Sequence, residues 1–232
     1  MDLIWEGIRK AFDLLRTLDP EVLGITALTL RISLLATFLS LVLGLGAAVP
    51  LALGRFPGRR LAISLINTGM GLPPVVAGLF ITILLWRNGP LGGLALLYTP
   101  SAIVLAQTVI ATPIIAGISL AALQQLPPDL PRQIRSLGAS RLQTVLLLLR
   151  EARLPLLAAV MAGFGGVISE VGASLMVGGN IKGSTRVLTT ATVMEAGKGE
   201  FDQAIALGLI LLGLTFAVNA LLTHIQQRER PR

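Results

Sequence analysis

Long apolar runs separated by short polar breaks dominate the chain, and the first strong break is Asp19-Pro20. Before it, Ile4, Ile8, Phe12, Leu15 and Leu18 recur at helical spacing, while Glu6, Arg9, Lys10, Asp13 and Arg16 fall largely elsewhere. That pattern predicts an amphipathic helix within residues 1–21, in the membrane interface or packed along the outside of a bundle. A span needs about 20 apolar residues, and the later runs predict five, at about 32–53, 61–86, 101–123, 154–177 and 204–223. Arg31 stands at the start of the first, where it can snorkel to the headgroups. Gly69, Gly71, Pro73, Pro74 and Gly78 interrupt the second; Gln107, Thr108, Thr112 and Pro113 give the third a polar, bent face. Gly163, Gly165, Gly166, Ser169, Glu170 and Gly172 fall in the fourth. Backbone groups freed at such places survive in a bilayer only where protein or water covers them, so the second span is expected to face a cavity or a partner. Residues 178–203 read as an irregular Gly-rich segment, and the fifth span is the plainest.

Composition then fixes the class. With 53% hydrophobic and 13% charged residues, against about 25% charged in soluble domains, the chain reads as an all-α integral membrane protein. One membrane domain, 22–227, follows the 1–21 segment and precedes a basic tail, 228–232. The net charge of +7 does not point to nucleic acid, because the basic residues lie in short groups between apolar runs with one Tyr and two Trp to stack on bases. The absence of cysteine excludes disulfides and thiolate metal sites. Asp2, Glu6 and Asp13 argue against a signal peptide. Arg55, Arg59 and Arg60, then Arg132, Arg135, Arg141, Arg150 and Arg153, then the tail arginines all fall on one side of the five spans. The positive-inside rule makes that side cytoplasmic, with the N-terminus outside and the C-terminus inside.

The basic stretch from Pro127 to Pro155 is the most structured of the breaks. Pro127, Pro128 and Pro131 start one helix, Gly138 interrupts it, and a second helix over 140–153 follows. The exposed Leu137-Gly138-Ala139 corner suits either a knob for another protein's groove or an ordinary helical hairpin. Glu170 is the one acid well inside a predicted span, and such residues are functional candidates by default; a carboxylate repels an oxyanion, which leaves a structural pairing or a gate. The Gly178-Gly179-Asn180 turn, with Lys182, Ser184, Thr185 and Arg186, offers amides, hydroxyls and two cations suited to a transient oxyanion contact. It equally suits a re-entrant loop that packs the bundle, and Thr189, Thr190 and Thr192 are as ambiguous. His224, at a span end, reads as interfacial. No P-loop motif is present, and no nucleophile and base pair or cluster of His, Cys or carboxylates builds a catalytic or metal site. A membrane-embedded enzyme would need such a cluster. A stand-alone secondary transporter would show a repeated half or paired ionisable residues at mid-membrane, and Glu170 has no such mate.

The basic stretch resembles the cytoplasmic EAA loop of ABC importer membrane subunits, Glu-Ala-Ala, three residues, Gly, nine residues, Ile-x-Leu-Pro. Gly138 and Ala152-Arg153-Leu154-Pro155 match it; Arg132-Gln133-Ile134 stands where Glu-Ala-Ala is expected, and thirteen residues separate Gly138 from Ala152. The four extra residues add about one helical turn and nearly preserve the face. Gly163-Phe164-Gly165-Gly166-Val167-Ile168-Ser169-Glu170-Val171-Gly172-Ala173, the run from Val177 to Thr190, and Thr29-Leu30-Arg31-Ile32-Ser33-Leu34 are similar to the permease subunits of tungstate-type ABC importers. The resemblance implies the small type I importer fold in a prokaryotic cytoplasmic membrane. It implies a homodimer around a central path, two cytoplasmic ATPase subunits that carry ATP and Mg, and an extracytoplasmic oxyanion-binding protein, with no cofactor and no catalysis on this chain. Arg135, Leu137, Gly138, Ala139 and Ser140 are then the ATPase-coupling residues. Ser169, Glu170, Gly172, Gly178, Gly179, Asn180, Thr185, Arg186, Thr189 and Thr190 are the candidates for path or gate. Tungstate is the first expectation for the cargo, with molybdate, sulfate or another anion as neighbours.

Overall fold

Asp19 sets the first boundary, since its Oδ1 accepts from the amides of Glu21 and Val22, each at 3.0 Å, and Pro20 is preset for the first helical position. A computed structural model describes residues 2–228; all but the first residue of the basic tail at 228–232 lies outside the described residues. A short amphipathic helix, α1 (Asp2–Arg16), is followed by the long α2 (Pro20–Leu53). Next come α3 (Arg59–Met70), α4 (Pro74–Leu85), a 3-10 turn at Gly92–Leu94, and α5 (Pro100–Gln124). The basic stretch forms α6 (Leu130–Ser136) and α7 (Arg141–Glu151), and α8 (Arg153–Ile168), α9 (Gly172–Gly178), α10 (Leu188–Lys198) and α11 (Phe201–Arg228) complete the described chain.

α2, α5 and α11 are each long and apolar enough to cross a membrane. The α3–α4 pair, bent by 105°, and the α8–α9 pair, bent by 58°, are each long and apolar enough together for one broken span, which brings the total up to five by length and composition. The first break falls at the Gly and Pro positions that the sequence marks, Gly71-Leu72-Pro73, and the second, Ser169-Glu170-Val171, at the marked Ser and Glu just before Gly172. The helix that carries the first span begins earlier than the span expected at 32–53. At 34 residues α2 is about 51 Å long, well beyond a hydrocarbon core of about 30 Å, and its first turns run past that core. Arg31, exposed on its surface, still stands where the apolar part begins. The segment 178–203 also differs, because α10 forms inside it. Leu188 and Ala191 bury one face of α10 against Val22, Ile25, Leu207 and Ile210, and Gly199, at φ +84°, ends the helix.

Close packing centres on α2 and α5. Ala36, Ser40, Gly44 and Ala48 recur every fourth residue along α2 and are all buried. A Cβ on Gly44 would stand 3.0 Å from Ile115 Cγ2 and 3.1 Å from the Ala116 amide nitrogen. Ser40 Oγ donates across the seam to the Thr108 carbonyl at 3.2 Å. Helices that lack a hydrophobic driving force in lipid associate through such small-residue contacts. α8 joins the same helix, with the Cβ position of Gly163 at 2.6 Å from Ile115 Cδ1.

One end of the bundle gathers Leu51, Leu120, Leu123, Leu148 and Ala152, with Ile63, Ile66, Leu130 and Ile134 packed against them. This arginine-rich end also holds the close of α11, whose Gln226 Nε2 donates to the Leu154 carbonyl at 3.3 Å. Arg59 closes α2 there by donating from Nε to the Leu51 carbonyl at 2.7 Å. α1 lies at the opposite end, tied to the start of α11 by Lys10 to Asp202 at 2.6 Å and by Gly7 against Ile205. It packs its small residues, Gly7 and Ala11, inward and leaves Ile4, Trp5, Phe12 and Leu15 exposed, an outward apolar face continuous in character with Leu212 and Phe216 on α11. For a membrane protein that face is the lipid-facing one.

The close approach of α4 to α9 makes the fold sensitive to one methyl group. A Cβ on Gly78 would come 2.6 Å from Ala173 Cα, whereas one on Gly46 meets nothing within 4 Å. Gly78→Ala is therefore expected to destabilise by about 1–3 kcal/mol through overpacking, and Gly46→Ala to be neutral or stabilising by up to about 1 kcal/mol. Thermal unfolding of the two variants in detergent checks the contrast.

Candidate functional site

The α6–α7 corner is built by local rules. Ser140 caps α7, its Oγ accepting from the Gln143 amide at 3.3 Å while Gln143 Oε1 accepts from the Ser140 amide at 2.8 Å, a capping box. Gly138 sits at φ +90°, a left-handed conformation that a residue with a Cβ adopts only at a cost. The turn leaves Leu137 88% exposed, an apolar side chain presented at the tip of the arginine-rich end. Arg135, Leu137 and Ser140 are exposed and Ala139 is half-buried, so the structure brings the five coupling candidates onto one projecting corner. Behind it, Thr144 and Leu148 bury one side of α7 against the bundle.

Glu170 lies 5% exposed in the α8–α9 break. Its carboxylate accepts three hydrogen bonds from the start of α9: Oε1 from the Ala173 amide at 2.7 Å, Oε2 from the Ser174 amide and Ser174 Oγ, each at 2.9 Å. The charge is thus met by the positive end of a helix turn. Ser174 extends the network to α5, accepting at Oγ from Gln107 Nε2 at 3.3 Å, and the same Nε2 donates to the Val167 carbonyl at 3.3 Å. Gln107 Oε1 is buried without a partner. From the other side Thr189 Oγ1 donates to the Glu170 carbonyl at 3.0 Å. One acid therefore stitches α8, α9, α5 and α10 together.

The candidates after α9 are also built into the framework. Thr185, fully buried, donates from Oγ1 to the Gly178 carbonyl at 2.5 Å and accepts from the Ile181 amide at 2.9 Å. Thr190 Oγ1 accepts from the Val187 amide at 3.1 Å and donates to Asn180 Oδ1 at 2.9 Å, while Asn180 Nδ2 reaches Met194 Sδ at 3.4 Å. Gly178 lies against Ile103 and Gly172 against Val75, with Cβ positions 2.8 and 2.6 Å from those side chains. Gly179, at φ +70°, turns the chain beside the Tyr98 ring. Ser169 is exposed, as is Ser184, and its Oγ donates back to the Gly165 carbonyl at 2.7 Å.

The two cations of this loop share an acid that the sequence does not single out. Lys182 Nζ lies 2.6 Å from Glu21 Oε2, and Arg186 Nη1 lies 3.4 Å from Glu21 Oε1. Arg186 is mostly buried, its Nε has no partner, and it lines a cavity of about 90 Å³ with Asp19, Glu21, Glu195 and Gln203. Three acids among those neighbours make this a pinned loop more than a positive funnel. Glu21 was detectable only as a lone acid after Asp19-Pro20. Ser174 carried a clearer signal, standing four residues after Glu170.

Known proteins share both sequence and fold with this chain. The family model described as "Binding-protein-dependent transport system inner membrane component" matches residues 40–231. The chain is similar to a probable anion ABC transporter permease protein of Haloferax volcanii, at 43% identity over 91% of this chain and 93% of that protein. It is 40% identical to the tungstate uptake system permease protein TupB of Peptoclostridium acidaminophilum, over 98% of this chain and all of that one. Among solved structures, an inward-facing MetNI methionine ABC transporter matches with a TM-score of 0.71 at 23% identity, over 94% of this chain and 99% of that one. A bacterial ABC transporter involved in import of the acidic polysaccharide alginate gives 0.76 at 17% identity, over 95% and 84%. These last two bear on the fold alone.

The Glu170 network generates a graded expectation. Glu170→Gln keeps one acceptor oxygen for the α9 amides and leaves the chain inserted and assembled. Glu170→Ala strips all three bonds and lowers stability by about 1–3 kcal/mol. Unfolding temperatures of the two variants in detergent, beside uptake in vesicles, check the order; a Glu170→Gln chain of normal stability whose transport is changed assigns the residue a gating role as well.

Proposed function

Because this chain belongs to the family of binding-protein-dependent transport system inner membrane components, we propose that it is the membrane-spanning subunit of an ATP-driven ABC importer that moves an oxyanion into the cytoplasm, tungstate before molybdate or sulfate. The observation that carries this reading is the end-to-end similarity to a tungstate uptake permease. The chain has no P-loop of its own, so ATP and Mg bind a separate ATPase subunit. Two copies of this chain enclose the path, two ATPase subunits sit below, and an extracytoplasmic protein delivers the oxyanion.

The arginine-rich end faces the cytoplasm in this reading, consistent with the positive-inside rule. Arg135, Leu137, Gly138, Ala139 and Ser140 then form the element that an ATPase groove grips, with the bare Leu137 side chain as its apolar anchor. Motion of that corner passes to α8 through α7, which turns directly into α8 at Ala152. α8 in turn ends at the Glu170 break. Ser169 lies along the path, and Glu170, Gly172, Gly178, Gly179, Asn180, Thr185, Thr189 and Thr190 hold the bend and loop that an opening gate must carry as one body. Arg186 latches that body to the start of α2 through Glu21. The ATPase state must favour one arrangement over the other for this to drive transport.

Two measurements test the reading. The complex with its ATPase, reconstituted in vesicles with the binding protein outside, takes up tungstate only when ATP is supplied to the ATPase side. Gly138→Asp still inserts, because the corner lies outside the spans, but it weakens coupling by about 1–3 kcal/mol, about 5- to 150-fold in uptake relative to ATP hydrolysed. Wild-type uptake and full ATPase binding in that variant would overturn the coupling assignment.

A further inference from the structure

The α3 helix carries polar side chains where the bilayer should forbid them. Ser64, Asn67 and Thr68 are exposed, and they share one face with Arg60 and with the exposed Gly71 at the break, following i, i+3, i+4 and i+7. Ile63, Ile66 and Gly69 pack into the bundle on one flank of this face, and Leu61 and Leu65, both exposed, border its other flank. Depth follows from the partner of α3. The Cβ position of Gly69 lies 2.8 Å from Pro113 Cβ, and Met70 Sδ packs against the Cβ position of Gly117. Pro113 stands at the middle of the 25-residue span α5 and Gly117 one turn nearer its arginine-rich end, and Ile66 packs into the cluster at that end, so Asn67 lies within the span, in its arginine-rich half.

Thr68 Oγ1 returns its proton to the Ser64 carbonyl at 2.9 Å. The Asn67 carboxamide and the Ser64 hydroxyl have no hydrogen-bond partner among the described residues. An unpaired amide in hydrocarbon is costly, and lipid contact at Asn67 would incur that cost. Water on that face removes the cost. Resting on the importer reading, we propose that the Ser64–Asn67 face of α3 lines the aqueous path, and that the Asn67 carboxamide and Ser64 hydroxyl are neutral donors over which a tetrahedral oxyanion passes. The same face carries no acid, and Arg60 at its arginine-rich end supplies the only charge. Neutral donors bind an oxyanion weakly enough to release it, as conduction requires, while the cation lies near the exit. The break at Gly71-Leu72-Pro73 leaves the path side of α3 open to the next half-helix, and Val75, just beyond, packs on Gly172 beside Glu170. The proposed lining and the gate framework therefore meet at the two helix breaks.

The natural absence of cysteine makes the test direct. Asn67→Cys, Ser64→Cys and, as a lipid-facing control, Leu212→Cys are made in the full transporter complex in vesicles and treated with an anionic sulfonatoethyl methanethiosulfonate. Each unit by which apolar surroundings raise a thiol pKa slows its reaction about tenfold, so both α3 variants are expected to label about tenfold or more faster than Leu212→Cys. Tungstate, present during labelling, is expected to slow the α3 variants and leave the control unchanged. Labelling of Asn67→Cys no faster than the control overturns the proposal, as does a spontaneous Asn67→Cys disulfide between two copies with no reagent access, which would make this face a dry protomer contact. Uptake of tungstate by the cysteine-free parent, measured in the same vesicles, separates the two claims: transport without α3 labelling sinks the lining, and α3 labelling without tungstate uptake or protection sinks the oxyanion reading.

Discussion

Lipid supplies no hydrophobic force to hold helices together, and the seam between α2 and α5 answers that constraint. Gly44 lets the backbone of α2 approach to where a methyl group would touch Ile115 and the Ala116 amide. Ser40 adds a hydrogen bond from one helix to the other. With α2 fixed, α5 becomes the post against which the broken spans are set: Gly69 rests on Pro113 and Gly163 on Ile115, and Gln107 reaches the α8–α9 break. Short half-helices could not hold their own positions in a bilayer, because their freed backbone groups need protein around them.

Much of this was legible in sequence where chemistry is local. Gly71-Leu72-Pro73 announces a break because proline and glycine act on their own backbone, and Ser169-Glu170-Val171 stands out as polar residues before Gly172 in an apolar run, but the angles of 105° and 58° come from what the halves pack against. The α6–α7 corner was likewise readable, since Pro131, Gly138 and Ser140 each act within one turn. Helix α10 was not, because glycines flank it and its stability lies in Leu188 and Ala191 meeting α2 and α11. The true start of α2 was hidden for a similar reason, as twelve residues before Ile32 are only moderately apolar and gain their order from Asp19 and from packing. Glu21 pairs with residues more than 160 positions away, and no local pattern announces such a contact. At the site itself, Glu170 could be narrowed to a pairing or a gate, and its three acceptor bonds needed coordinates. The α3 polar face was present at helical spacing but masked by the glycines and prolines that follow it.

Spent and unspent polar groups divide the molecule between framework and transport. Thr185, Thr189, Thr190 and Asn180 give their hydrogen bonds to the protein, and Glu170 gives its charge to the α9 amides. Such groups move as one body, because each bond broken inside would leave a buried donor or acceptor alone. Asn67 and Ser64 keep their hydrogen-bonding capacity for whatever enters. Lys182 and Arg186, bound to Glu21, leave little free positive charge beside that loop, which fits a subunit that accepts its cargo from a delivering protein and need not capture it from dilute solution.

The bond from the Leu188 amide to Thr29 Oγ1, 2.9 Å across 159 residues of sequence, bears on how the chain is made. At a synthesis rate of about 5–20 residues per second, roughly 10–30 s pass between the emergence of Thr29 and that of its partner. During that interval the Thr29 hydroxyl donates to its own Ile25 carbonyl, 2.7 Å away, so the helix enters the bilayer with no exposed proton. Its oxygen stays vacant as an acceptor until α10 arrives. The first span is thus born self-sufficient and acquires this bond only after Leu188 of the 232 residues has been translated.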